Sequence, residues 1–160
     1  MDRIYTMTVL LAAAGAGVMA GFFYSFSNVV MGALNRVAPQ SGIAAMQAIN
    51  NVVLNPIFLL LFFGTAFLSA VIIGASLLGS VGSGAVLAAG GGAAYLVCII
   101  GVTIIFNVPM NNALALVVPA TAEGAAVWAH YLQRWTWWNH VRTLGGILSL
   151  GCFMIALIQG

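Results

Sequence analysis

The sequence predicts an all-α integral membrane protein, a four-helix bundle with short interfacial helices in its first and third connections. Three observations carry this. The 160 residues are 63% hydrophobic and 4% charged, with four arginines, two acids and no lysine. Soluble domains carry about a quarter charged residues, so the chain lacks the polar side chains to face water, and its solvent is lipid. Four apolar stretches reach the roughly 20 residues that a membrane-crossing helix needs. The breaks between them are marked by Asn-Pro, by a glycine-rich hairpin and by Asn-Val-Pro.

The first span is expected over 6–34. Arg3 followed by an apolar run resembles a signal peptide, but the run passes 25 residues without a small-residue cleavage site, which makes it a retained span. Within it Gly17, Gly21, Ser25, Asn28, Gly32 and Asn35 recur in steps of three or four, one helical stripe. Its glycines suit close helix packing, and its lower part turns to amides beside Arg36. In the first connection, SGIAAMQAINN at 41–51 places Ile43, Met46 and Ile49/Asn50 at helical spacing, the pattern of a short interfacial helix. Gln47, Asn51 and Asn55 follow in steps of four. Asn55-Pro56 starts the second span, 57–78, because the amide caps free N–H groups and proline at the first position loses nothing.

Residues 79–84, GSVGSG, form a tight uncharged hairpin into the third span, 85–106. That span is expected to stop at Asn107-Val108-Pro109, where proline removes a backbone hydrogen bond between Asn107 and Asn111. A backbone broken at membrane depth is tolerated where it lines protein or a cavity. The third connection holds most of the polar aromatics, and good helix formers from Ala122 to Arg142 predict a helix running into the fourth span, 141–158. The whole chain, 1–160, is expected to be one transmembrane domain.

Four antiparallel spans bring the first and third connections to the same membrane face. The polar residues collect there, around WTWWNHVRT at 135–143. At 100° per residue Trp128, Tyr131, Trp135, Trp138, Asn139 and Arg142 share one helix face. His140 lies about 100° from Asn139, and His130, Arg134, Trp137 and Val141 make a second face. The expected site is a polar pocket lined by Asn50 or Asn51, Asn55, Asn107, Asn111, Asn139 and Arg142. Each feature also has a plainer role. Interfacial rings anchor helices, Trp137 above all, and Arg36 and Arg134 suit headgroup contact. The asparagines next to prolines suit helix caps. Arg142 stands apart, because it opens a span with no acid near it in sequence, and an ionisable residue inside a span marks a site or a structural clasp.

The absences exclude several classes. The two acids, Asp2 and Glu123, lie outside the spans, which argues against a proton-coupled antiporter. Two histidines ten apart without Cys or carboxylate neighbours make no metal set. Cys98 and Cys152 sit singly in apolar runs, as small buried hydrophobes, and no CxxC pair suggests a thiol oxidase. A charge of +2 spread over four arginines gives no nucleic-acid surface.

Three blocks, GIAAMQAINNVVLNP at 42–56, NVPMNNAL at 107–114 and RWTWWNHVRT at 134–143, together resemble the anthrone-oxygenase-like family of small four-helix membrane proteins. The family pattern has proline after the Val-Met of the first span, where this chain has Gly32. The resemblance implies an oxygenase in a cell membrane, the bacterial inner membrane in the case of bacterial members. It would act on a lipophilic polycyclic aromatic such as an anthrone, with molecular oxygen as co-substrate and no resident cofactor or metal. An anthrone has an acidic methylene, and its enolate is electron-rich enough to reduce oxygen. In that chemistry His140 would be the base, and Arg142 with Asn107, Asn111 or Asn139 would hold the enolate oxygen. Trp135 and Trp138 would wall a flat slot, with Asn50, Asn51 and Asn55 at its edge. Membrane lipid and the aromatic ligand are the expected partners. The alternatives are a non-catalytic lipid- or quinone-binding accessory protein and a purely structural bundle.

Overall fold

The computed structural model describes residues 3–79 and 82–160. Its helices are α1 (Arg3–Leu34), α2 (Pro39–Val52), α3 (Pro56–Leu77), α4 (Ala85–Ala115) and α5 (Ala122–Gln159). All but α2 are long and apolar enough to cross a membrane. At 1.5 Å per residue the 22 residues of α3 span about 33 Å, close to the hydrocarbon thickness. The 38 residues of α5 span about 57 Å, so it continues the fourth span well beyond that layer. Ser80 and Val81 of the expected hairpin, together with Met1 and Asp2, lie outside the described residues. Beside that gap Gly79 and Gly82 have φ of 74° and 80°, a left-handed geometry that suits glycine.

α1 buries Ala12, Ala16, Met19, Phe23, Ser27 and Met31 against its neighbours. From Phe23 the buried positions recur every four residues, through a π-helical turn at Phe26–Val30. The expected polar stripe faces away from the bundle. Gly21, Ser25, Asn28, Gly32 and Asn35 are exposed. Ser25 and Asn28 satisfy themselves on their own helix, donating to the carbonyls of Gly21 and Tyr24. Close packing falls to other small residues. A Cβ on Gly146 of α5 would come within 2.9 Å of the Ala20 methyl, and one on Gly145 would overlap Cys98.

α4 does not stop at Asn107. Two π-helical segments, Tyr95–Gly101 and Thr103–Asn107, carry it to Val108, and an α-helical turn continues to Ala115. Pro109 lies in the first turn of that last segment, where a missing N–H costs little. The expected break is therefore a change of helical pitch.

α2 lies across the bundle end with Gly42, Ile43 and Met46 buried, the face that its spacing predicts. Gln47 donates to the carbonyls of Leu114 (2.8 Å) and Val117 (3.1 Å), which ties the first connection to the end of α4. The two connections thus share one face. One apolar core, with Val9, Tyr95, Ile99 and Phe153, fills the far end of the bundle. A second, with Met46, Leu114, Trp128, Tyr131 and Trp135, fills the connection end. Along α5, Asn139 and Arg142 fall between Trp135 of one core and Phe153 of the other.

Candidate functional site: a buried arginine in an aromatic cavity

The predicted inner face of α5 forms as a buried row of Trp128, Tyr131, Trp135, Asn139 and Arg142. The other face points outward, with His130 and Arg134 exposed and Trp137 60% exposed. Spacing along an uninterrupted α-helix is enough to fix both faces.

Asn139 is the hub. It has no exposed surface, and its Nδ2 donates to the Phe23 carbonyl and to the Ser27 hydroxyl, both at 2.6 Å. Its Oδ1 accepts from Arg142 Nη2 at 2.5 Å. The π-helical turn of α1 lies beside these contacts, which is where such turns are often found at functional sites. Arg142 Nη1 reaches the Thr103 hydroxyl on α4 at 3.3 Å. The guanidinium carbon lies 4.3 Å from the Phe23 ring centroid and 5.0 Å from that of Trp135, both cation–π distances.

Arg142 is 5% exposed, and its buried Nε has no hydrogen-bond partner among the described residues. Glu123, the one acid among them, lies 19 positions earlier on the same helix, about 28 Å away. No carboxylate among the described residues balances this charge. Buried charges are ordinarily paired; here the guanidinium is met by Asn139, Thr103 and two aromatic rings instead.

Arg142 lines a cavity of about 210 Å³ between the diverging ends of α3 and α4, closed on one side by α1 and α2. Its walls are mainly apolar, with Phe22, Phe23, Phe26, Phe58, Phe62 and Trp135 supplying rings. Asn50, Asn111 and Thr103 supply the polar points. Asn111 accepts from the Tyr131 hydroxyl at 2.7 Å, which fixes the amide. The expected polar pocket is therefore an aromatic cavity with one charged corner.

The predicted residues divide. Asn50, Asn111, Trp135 and Arg142 reach the cavity, and Asn139 stands directly behind Arg142. Asn107 is buried outside the lining, its Nδ2 donating to the Trp135 carbonyl at 3.3 Å, so it positions that residue. Asn51 is exposed. Asn55 is exposed as well and acts as a cap, its Oδ1 accepting from the Ile57 and Phe58 N–H groups at 3.1 Å. Trp138 stacks on Phe106 at 3.6 Å and 5°, away from the cavity. His140 does not line it either, and Trp137 and Leu144, its neighbours on the helix surface, face outward. The phenylalanines were not anticipated. Their signal was present in Phe22/Phe26 and Phe58/Phe62, each pair four apart on one helix face. Among the described residues no three His, Cys, Asp or Glu side chains cluster.

A family model described as Anthrone oxygenase matches residues 57–152, well over half of the chain. The chain belongs to the anthrone oxygenase family. The match covers α3, α4 and most of α5, and with them Thr103, Asn107, Asn111, Trp135, Asn139 and Arg142. No curated protein and no solved structure matches the chain.

Proposed function

We propose that this member of the family is a multi-pass membrane oxygenase, which binds a flat lipophilic ring compound with an acidic oxygen, such as an anthrone, in the Arg142 cavity. The single observation that carries the reading is a buried arginine without a carboxylate, facing a ring-lined space. Such a corner favours the ionised over the neutral form of a bound enol or phenol. For an anthrone the overall reaction converts the methylene to a carbonyl, taking up molecular oxygen and releasing water. Arg142 would hold the enolate oxygen, and Trp135 with Phe23 would flank the rings. The cavity walls hold no carboxylate or imidazole. We therefore assign the site the role of stabilising the enolate and do not assign His140 as base. A cavity of about 150 Å³ takes benzene, so this one takes a larger fused system whose far ring extends toward the rim.

Purified protein with an anthrone and oxygen tests this, with thermal stability in detergent measured alongside. Arg142→Lys retains charge but loses the planar fork. It should leave the melting temperature nearly unchanged and strongly reduce anthraquinone formation. His140→Gln should leave both unchanged. Full activity in Arg142→Lys with earlier melting would make the arginine a structural clasp. A quinone or lipid co-purifying with a protein that never turns over an anthrone would favour the binding role.

A further inference from the structure

We propose that the seam between the start of α3 and the end of α4 is a lateral entrance, through which an uncharged ring compound dissolved in the bilayer reaches the Arg142 cavity. The inference rests on reading that cavity as a ligand site. Toward the far end of the bundle the two helices are locked. A Cβ on Gly92 of α4 would come within 2.8 Å of the Ser69 carbonyl of α3, and Tyr95 donates to the Phe62 carbonyl at 3.0 Å. From there toward the connections they separate, and the cavity occupies the gap.

The residues along that gap line the cavity and face outward at the same time. Phe63 on α3 is 55% exposed and Ile104 on α4 is 58% exposed, with Leu54 and Val108 exposed beside them. These four side chains carry no charge and no hydrogen-bonding group. Phe58 and Phe63 lie within about two turns of the α3 start, which places the seam in the outer part of the hydrocarbon layer. Tryptophan and tyrosine, rings with one polar group, settle at the interface beside that depth. A charged ligand would shed its hydration to cross such a rim, whereas a neutral one would not. The deep wall behind it, with Phe23, Trp135 and Arg142, is buried. A rival passage exists in the neighbouring apolar chamber between α1, α2 and α3, which shares Phe22, Phe26, Ile49, Val53 and Phe58 with the cavity and has Ala48 and Val52 on its own outer wall.

The full chain in lipid nanodiscs, photolabelled with bilayer-dissolved 1-azidonaphthalene and mapped by mass spectrometry, tests the entrance. The parent protein should give adducts on Phe23 and Trp135, which are otherwise sealed from lipid. Ile104→Trp, which fills the seam, should lose them. Leu60→Trp, on the lipid face of α3 away from the cavity, should keep them, and so should Val52→Trp in the rival chamber. Deep-wall adducts that persist in Ile104→Trp, vanish in Val52→Trp or never form in the parent protein would overturn the entrance. Arg142→Gln separates this from the functional reading, because an uncharged probe should label it as before while anthrone binding is lost. Anthrone binding that survives Arg142→Gln would sink the functional reading with the entrance intact.

Discussion

Replacing Arg142 with methionine removes the charge and keeps a flexible, unbranched apolar stem. In the native protein the guanidinium makes one short hydrogen bond to Asn139 and two ring contacts. A hydrogen bond to a charged group is worth about 1.5–3 kcal/mol, and a desolvated cation–π contact about 2 kcal/mol. Against these stands the burial of a charge with no acid partner, which costs several kcal/mol. The opposing terms nearly cancel. Methionine leaves Asn139 Oδ1 unpaired at a cost of about 1–3 kcal/mol but relieves the buried charge and keeps a polarizable, adaptable side chain on the Phe23 and Trp135 side of the helix. The expected change for Arg142→Met is within about 2 kcal/mol of the parent protein, in either direction. Asn139→Leu behaves differently. It keeps the charge, removes its best partner and strips the Phe23 carbonyl and the Ser27 hydroxyl of their contact, so it should cost about 3–5 kcal/mol. The double variant should recover much of that loss. Equilibrium unfolding in mixed micelles measures all three. If Arg142→Met is as damaging as Asn139→Leu, the arginine is a net stabiliser of the bundle and a clasp, not a group held for an anionic ligand.

Two further substitutions separate scaffold from site. Gly145→Ala drives a Cβ into the Cys98 side chain, so α4 and α5 must move apart; a loss of about 1–3 kcal/mol is expected, read by the same unfolding assay, and Cys98→Gly should restore part of it. Asn55→Ala removes the cap of α3 and should cost about 1 kcal/mol while leaving anthrone affinity unchanged; a matching loss of affinity would place Asn55 in the site after all.

The amphipathic face of α5 was legible from residue numbers alone. Trp128, Tyr131, Trp135, Asn139 and Arg142 lie at helical spacing on a helix without interruption, so their common burial follows from 3.6 residues per turn. α2 and the Asn55 cap were legible for the same reason, since both rest on contacts within one turn. Trp138 fits the α5 face less well, and its ring leans to Phe106 because that partner comes from α4. Spacing on one helix carries no information about what stands opposite.

By itself the sequence determined the solvent, the number of crossing helices and the shared face of the two long connections. Those follow from composition, span length and alternation of direction, which involve no side-chain contact between helices. Tertiary structure decided the rest. Whether the stripe of α1 from Gly21 to Asn35 faced inward depended on which face of α1 meets the glycines of α5, as Ala20 meets Gly146. Whether α4 broke at Pro109 depended on a change of pitch just before it. Of the many asparagines, only those whose backbone positions converge on Arg142 could serve it, and that convergence joins α1, α4 and α5 across more than a hundred residues of chain. Local periodicity fixes which face a residue occupies, and the packing of distant helices fixes what that face meets.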